Sequence, residues 1–80
     1  MSDVRSVLKE IIAEVAELDD VEAITDQTDL FGDLGIDSMQ ALEIVLEIER
    51  RLGVEVSEDQ LRSIRSFGDA MRIAESRGTT

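Results

Sequence analysis

Apolar residues recur at the spacing of an α-helix along most of this 80-residue chain, and this spacing restricts the possible folds more than any other feature. Near the N-terminus they follow the i, i+3, i+4, i+7 rule that marks one buried helix face. Its members are Val4, Val7, Leu8, Ile11, Ile12 and Val15. Ser2 or Asp3 can cap this first helix, and residues 18–20 are expected to end it.

A long loop is predicted next, because the chain up to Asp37 is irregular and rich in Asp, Thr and Gly. Apolar residues inside it are expected to reach the core and pin the loop. They are Leu30, Phe31, Leu34 and Ile36. A second helix is predicted from about Ser38 to Leu52, with Gly53 as the left-handed residue that ends it.

Two further helices complete the predicted fold. Ser57 and Gln60 have the spacing of a capping box, which predicts a short third helix. A fourth helix is predicted to begin near Ser66 and to end at Gly78, with frayed residues beyond it. The sequence therefore predicts an all-α, four-helix bundle of three longer helices and one short helix, forming one domain over residues 1–80.

The second helix has apolar residues on two faces. One stripe consists of Ala41, Val45, Ile48 and Leu52, with Ile44 at its edge. Met39, Leu42 and Leu46 form a second stripe on nearly the opposite face. If the first stripe faces the bundle, the second is exposed and rimmed by charge, which is typical of a docking surface. The alternative is that the second stripe packs beneath the long loop.

The acidic residues are segregated along the chain, which has a formal net charge of −11. No basic residue lies between Lys9 and Arg50, while thirteen Asp and Glu residues do. Nucleic acid and anionic membranes need a positive surface, so both are disfavoured as partners. The segregation favours a basic protein partner, although acids could also serve only to keep a small domain soluble.

The chain has little catalytic equipment. It contains no Cys, His, Trp or Tyr, and therefore no thiol nucleophile, neutral-pH proton shuttle or soft metal ligand. Asp26, Asp29 and Asp33 invite comparison with a calcium loop, but the alternating Asp pattern with a distal Glu is missing. We predict neither an enzyme nor a metal site. The chain has no evident leader and no bilayer-length apolar run, so a cytoplasmic protein is expected. We also expect it to be a monomer.

Ser38 is the position best suited to chemical modification. Asp and Ser are both favoured N-caps, so the Asp37-Ser38 pair has an ordinary structural explanation. A phosphate on Ser38 would meet the free N–H groups and the positive dipole end of the second helix. Asp37 would repel that phosphate, which favours a role for Asp37 in capping or in recognition by a modifying enzyme.

Several segments of the sequence together resemble the acyl carrier proteins over essentially the whole chain. They are residues 35–39, 42–45, 47–49 and 52–56, which read GIDSM, LEIV, EIE and LGVEV. The resemblance implies a bundle of acyl-carrier type. It also implies that a phosphopantetheinyl transferase moves 4′-phosphopantetheine from coenzyme A to Ser38, and that the terminal thiol of this arm holds an acyl group as a thioester.

The same resemblance implies where partners and cargo bind. Partners would be acyl-loading, ketosynthase-type and other acyl-processing enzymes with basic patches. The docking residues carried over by position are Asp37, Met39, Leu42, Glu43, Leu46 and Glu49. The residues loosely implicated in sheltering an acyl chain are Ile44, Val45, Ile48, Val56, Ile64 and Ala70.

Some positions depart from the housekeeping carrier of fatty-acid synthesis. They are Gln40, Arg50, Arg51 and Ser57. These changes favour a specialised carrier for polyketide, lipid or other secondary pathways over the central fatty-acid carrier. The alternatives are an aminoacyl or peptidyl carrier loaded by an adenylating enzyme, and an acidic adaptor that is never modified. Partner enzymes would determine the cargo.

Overall fold

Four helices make up the fold in the computed structural model, which describes residues 3–75. They are α1 (Val4–Ala16), α2 (Ser38–Leu52), α3 (Glu58–Ser63) and α4 (Phe67–Glu75). The described residues contain no β-strand, only an isolated antiparallel bridge between Asp29 and Ser66. No helix within 3–75 is long and apolar enough to cross a membrane. The prediction of an all-α bundle with one short helix and a long first loop is confirmed.

Helix α1 ends earlier than predicted. The Asp3 carboxylate accepts a hydrogen bond from the Arg5 N–H at 3.2 Å, so Asp3 is the N-cap. At the other end Glu17 adopts a left-handed conformation with φ 57°, and the Leu18 N–H donates to the Ala13 carbonyl at 2.9 Å. This reversal satisfies the last carbonyls and ends the helix before residues 18–20. The predicted cap at Ser2 and helix end at Gly78 lie outside the described residues.

The predicted limits of α2 and the predicted start of α3 are confirmed, although α3 ends at Ser63, with the predicted helical residue Ile64 as its extended C-cap. Gly53 has φ 70° and donates its N–H to the Glu49 carbonyl at 3.0 Å, which ends α2. The α3 capping box is formed by Ser57 and Gln60, whose side chains each accept the other's backbone N–H. Helix α4 begins at Phe67, where the Ser66 hydroxyl accepts the Asp69 N–H at 3.2 Å.

The core lies where α1 packs against α2 and α4. It contains no buried polar or charged residue within 3–75. Its largest fully buried side chains are Leu8, Ile11, Ile12, Leu30, Ile48 and Phe67. Ala41, Ile44, Val45 and Ile48 of α2 are buried, so the first apolar stripe faces the bundle as predicted, with Leu52 partly buried beside it.

The long loop is held against the connection between α3 and α4. The Leu30 N–H donates to the Arg65 carbonyl at 2.8 Å, and the Phe67 N–H donates to the Thr28 carbonyl at 2.9 Å. Leu30 and Ile36 are buried, which confirms that apolar side chains pin this loop. The prediction was wrong for Phe31, which is 37% exposed because it lines an open cleft and is not part of the core.

Candidate functional site

Ser38 is the first residue of α2, and its side chain is exposed. The N-cap is its neighbour: Asp37 Oδ1 accepts the Gln40 N–H at 2.8 Å. Gln40 Oε1 in turn accepts the Asp37 N–H at 3.1 Å, which completes a capping box. Because Asp37 satisfies the helix end, the Ser38 hydroxyl is not needed for capping and makes no hydrogen bond to any residue in 3–75.

Gln40 also belongs to the site, although in the sequence it stands out only as a departure from a family pattern. Besides its place in the capping box, its Nε2 donates to the Val15 carbonyl near the end of α1 at 3.2 Å. One amide thus fixes the first turn of α2 and ties that turn to α1. The sequence could have predicted the capping role of Gln40, because a capping residue followed three positions later by Gln is a capping-box pattern.

The loop before Ser38 is ordered by its own carboxylates. Asp29 Oδ1 accepts the N–H groups of Phe31 and Gly32 at 2.9 and 3.0 Å, and Asp33 Oδ2 accepts the Asp29 N–H at 2.9 Å. Asp26 instead forms an ion pair with Arg5 at 2.8 Å. The acids that suggested comparison with a calcium loop therefore bind protein groups, and residues 3–75 contain no cluster of three metal-ligating side chains.

A cleft of about 420 Å³ opens beside Ser38, between the start of α2 and α3. Its lining residues are Phe31, Ser38, Ala41, Leu61, Arg62, Ile64 and Arg65. The walls are largely apolar, and the two arginines give the cleft a positive charge. An exposed hydroxyl beside apolar walls and guanidinium groups fits a long, mostly uncharged chain joined to the serine through a phosphate.

The second apolar stripe of α2 is exposed, as the periodicity predicted. Met39 is 69%, Leu42 38% and Leu46 53% exposed. Asp37, the N-cap, and Glu43 are also exposed. Five of the six predicted docking residues are therefore accessible, and Met39, Leu42, Glu43 and Leu46 share one side of α2 by helical spacing.

The sixth predicted docking residue, Glu49, has a structural contact. It is partly buried, and its Oε2 accepts the Val56 N–H at 2.8 Å, which fastens the connection between α2 and α3.

Glu47 forms ion pairs with both Arg50 and Arg51, each at 3.0 Å. The hydrogen bond from Arg50, followed by that from Arg51, lowers the pKa of Glu47. Its charge is therefore locally balanced.

The residues implicated in sheltering an acyl chain belong to the packed core. Ile44, Val45, Ile48, Ile64 and Ala70 are buried, and Val56 is partly buried against them. Of this set, Ile64 alone also lines the cleft beside Ser38.

Comparison with known proteins places the same region in a family context. Residues 6–72 match the family model described as phosphopantetheine attachment site, a stretch that begins in α1 and ends in α4. The chain is also 39% identical over 70 residues to Polyketide-8 synthase acyl carrier protein 2 of Streptomyces avermitilis. That alignment covers 88% of this chain and 79% of the Streptomyces protein.

Proposed function

Since this chain belongs to the acyl carrier protein family, whose prosthetic group is 4′-phosphopantetheine, we propose that Ser38 is the residue to which that group is attached. The protein is a carrier and not an enzyme. The observation that supports Ser38 is its position at the start of α2 with an exposed hydroxyl. This hydroxyl is free of a capping role because Asp37 is the N-cap.

We propose that a separate transferase carries out the attachment. The Ser38 oxygen bonds to the phosphorus of coenzyme A that bears the pantetheine arm, the pyrophosphate linkage of coenzyme A breaks, and adenosine 3′,5′-bisphosphate leaves. The serine proton passes to a base, which the transferase would supply. When bound, the arm supplies the thiol that holds the acyl group as a thioester, which this chain without Cys cannot supply itself.

The exposed face of α2 is proposed as the surface that partner enzymes recognise. Its apolar centre is Met39, Leu42 and Leu46, and its acidic rim includes Asp37 and Glu43. Basic patches on the transferase and on acyl-processing enzymes would complement this rim. Glu49 lies only at the edge of the proposed surface, because its carboxylate already accepts a hydrogen bond from the Val56 N–H.

We propose that the cargo belongs to polyketide or related specialised lipid biosynthesis. The similarity to a polyketide synthase acyl carrier protein supports this pathway. So does the pairing of Arg50 and Arg51 with Glu47, which removes negative charge from the lower half of α2. The chain is further proposed to act as a single cytoplasmic carrier domain and as a monomer.

The test is incubation with coenzyme A, Mg²⁺ and a broad-range phosphopantetheinyl transferase, followed by intact-protein mass spectrometry. We expect one phosphopantetheine group on the protein and none on Ser38→Ala. Ser6→Ala, an exposed serine of α1, is the matched control and should be modified fully. Since Asp37 is the cap, Ser38→Ala should change the unfolding free energy by no more than about 0.5 kcal/mol. Modification that persists in Ser38→Ala would contradict the assignment.

A further inference from the structure

Two arginines at the cleft differ from the other described arginines in their partners. Arg5, Arg50, Arg51 and Arg72 each hydrogen-bond to a carboxylate. Arg62 forms only a long ion pair with Glu58, at 3.9 Å and without a hydrogen bond, and Arg65 forms no ion pair within residues 3–75. These two positive charges therefore stay largely unneutralised in a strongly acidic protein, and both line the cleft that contains Ser38.

The acid nearest to Arg65 in α4 is already engaged. Asp69 Oδ2 accepts the backbone N–H groups of Arg65 and Ser66 at 3.0 and 3.1 Å, and its other oxygen binds Arg72. On the α3 side, the Glu58 side chain is 85% exposed. The guanidinium group of Arg65 therefore has no ion-pair partner within residues 3–75, and that of Arg62 has only its long, exposed ion pair with Glu58, so both can bind an added anion.

We propose that Arg62 and Arg65 bind the phosphodiester of the prosthetic group, so that the arm begins inside the cleft between α2 and α3. This inference rests on the proposed attachment to Ser38. The phosphodiester has one negative charge, and a guanidinium group matches its oxygens with two parallel N–H donors.

The contact of Arg62 and Arg65 with the phosphodiester would also balance a negative charge next to Ser38. Asp37 is adjacent to the attachment point, and its carboxylate repels the phosphodiester. The positive charges of Arg62 and Arg65, which line the same cleft as Ser38, would offset that repulsion. The remaining lining of Phe31, Ala41, Leu61 and Ile64 is apolar and suits the methyl and methylene groups that follow the phosphate in the arm.

Nuclear magnetic resonance of the protein bearing the arm but no acyl group tests the proposal. In this form the phosphodiester is the only added anion, so a cargo carboxylate cannot account for the result. We compare the unaltered chain with the double variant Arg62→Gln/Arg65→Gln. The matched control is Lys9→Gln/Arg50→Gln, which removes the same charge from residues outside the cleft.

Attachment should shift the Arg62 and Arg65 Nε–Hε signals in the unaltered chain and in the control. The ³¹P signal of these two proteins should differ from that of the cleft variant. The difference should diminish as salt is raised from 0.1 M to 1 M, since the Debye length falls from about 10 Å to about 3 Å.

Two failures are distinguishable in this experiment. If mass spectrometry finds no arm on the unaltered chain, the proposed function is wrong and this inference falls with it. If the arm is attached but the arginine signals do not move and the ³¹P signal is the same in all three proteins, the arm does not bind in the cleft. That result overturns this inference alone.

Discussion

At the scale of single residues, the amide of Gln40 links the start of α2 to the end of α1. That side chain accepts the Asp37 N–H and donates to the Val15 carbonyl. Gln40→Ala removes both contacts, and we expect it to lower the unfolding free energy by about 1–2 kcal/mol in chemical denaturation. Gln27→Ala, an exposed loop glutamine, is the control and should change it by less than about 0.5 kcal/mol. If both variants lose the same unfolding free energy, Gln40 does not stabilise the contact between α1 and α2.

Asp69 is a carboxyl group whose pKa is lowered in the folded protein. The backbone N–H of Ser66 is the main cause of its lowered pKa, aided by the N–H of Arg65. A carboxyl group with a lowered pKa in the folded state stabilises the fold above its ordinary value of about 3.9 and loses that effect as the pH falls through the folded-state pKa.

We therefore expect Asp69→Asn to reduce the melting temperature at pH 7. The difference in melting temperature between the variant and the unaltered chain (the gap) should become smaller below about pH 4. Thermal unfolding followed by circular dichroism from pH 7 to pH 3 measures both effects. Asp59→Asn, on the exposed side of α3, is the control and should show no such gap at pH 7. A gap that stays constant with pH would mean that the charge of Asp69 is irrelevant.

The residue scale also shows how far sequence reasoning extends. The capping role of Asp37 could be predicted because caps depend on neighbours in the chain. The bond from Gln40 to Val15 could not, since it joins residues that only the packing of α1 on α2 brings together. Nor could the meeting of Arg62, Arg65 and Ser38, because the periodicity of a six-residue helix does not fix its position in the bundle.

At the scale of elements, α2 presents a face that the bundle leaves uncovered. Glu43→Lys and Leu46→Ala should slow cargo transfer by partner enzymes without unfolding the protein, because both side chains are exposed. The charge reversal should also flatten the dependence of the association rate on salt. Transfer rates measured by mass spectrometry test this. Glu75→Lys on α4 is the control, and an equal loss there would mean that α2 has no special role.

Helices and their connections differed in how well they could be predicted. The helices follow local apolar periodicity, so their existence and order were recovered. The end of α1 at Ala16 was not predicted, because it depends on the left-handed backbone of Glu17. Glutamate rarely adopts that conformation, so the residue type gives no reason to expect it. The bridge between Asp29 and Ser66 was also beyond prediction, since it pairs two irregular segments that tertiary packing alone brings together.

At the scale of the whole molecule, arginines neutralise only part of the acidic interval. Four of its thirteen carboxylates form ion pairs within residues 3–75. They are Glu10, Glu14, Asp26 and Glu47, and their partners are Arg5, Arg50 and Arg51. Arg62 and Arg65 take no part. The other acids repel one another more strongly in the folded state than in the extended chain.

Salt should therefore stabilise the unmodified protein. Screening of this repulsion should raise the melting temperature between 0.1 M and 1 M NaCl, over which the Debye length falls from about 10 Å to about 3 Å. Millimolar Mg²⁺ or Ca²⁺ should act in the same direction at lower ionic strength. Differential scanning calorimetry measures the change. A melting temperature that stays flat or falls would show that the paired carboxylates, and not the free ones, dominate the electrostatics.

The hydrogen bond between Leu30 and Arg65 has a mechanical consequence for the cleft. It joins the segment that bears Phe31 to the segment that bears Arg65, so that side of the cleft is a fixed wall. Helix α3 forms the opposite side and has no buried residue of its own. We therefore expect a bulkier attached group to displace α3, while the core of α1, α2 and α4 keeps its packing and Ser38 keeps its position.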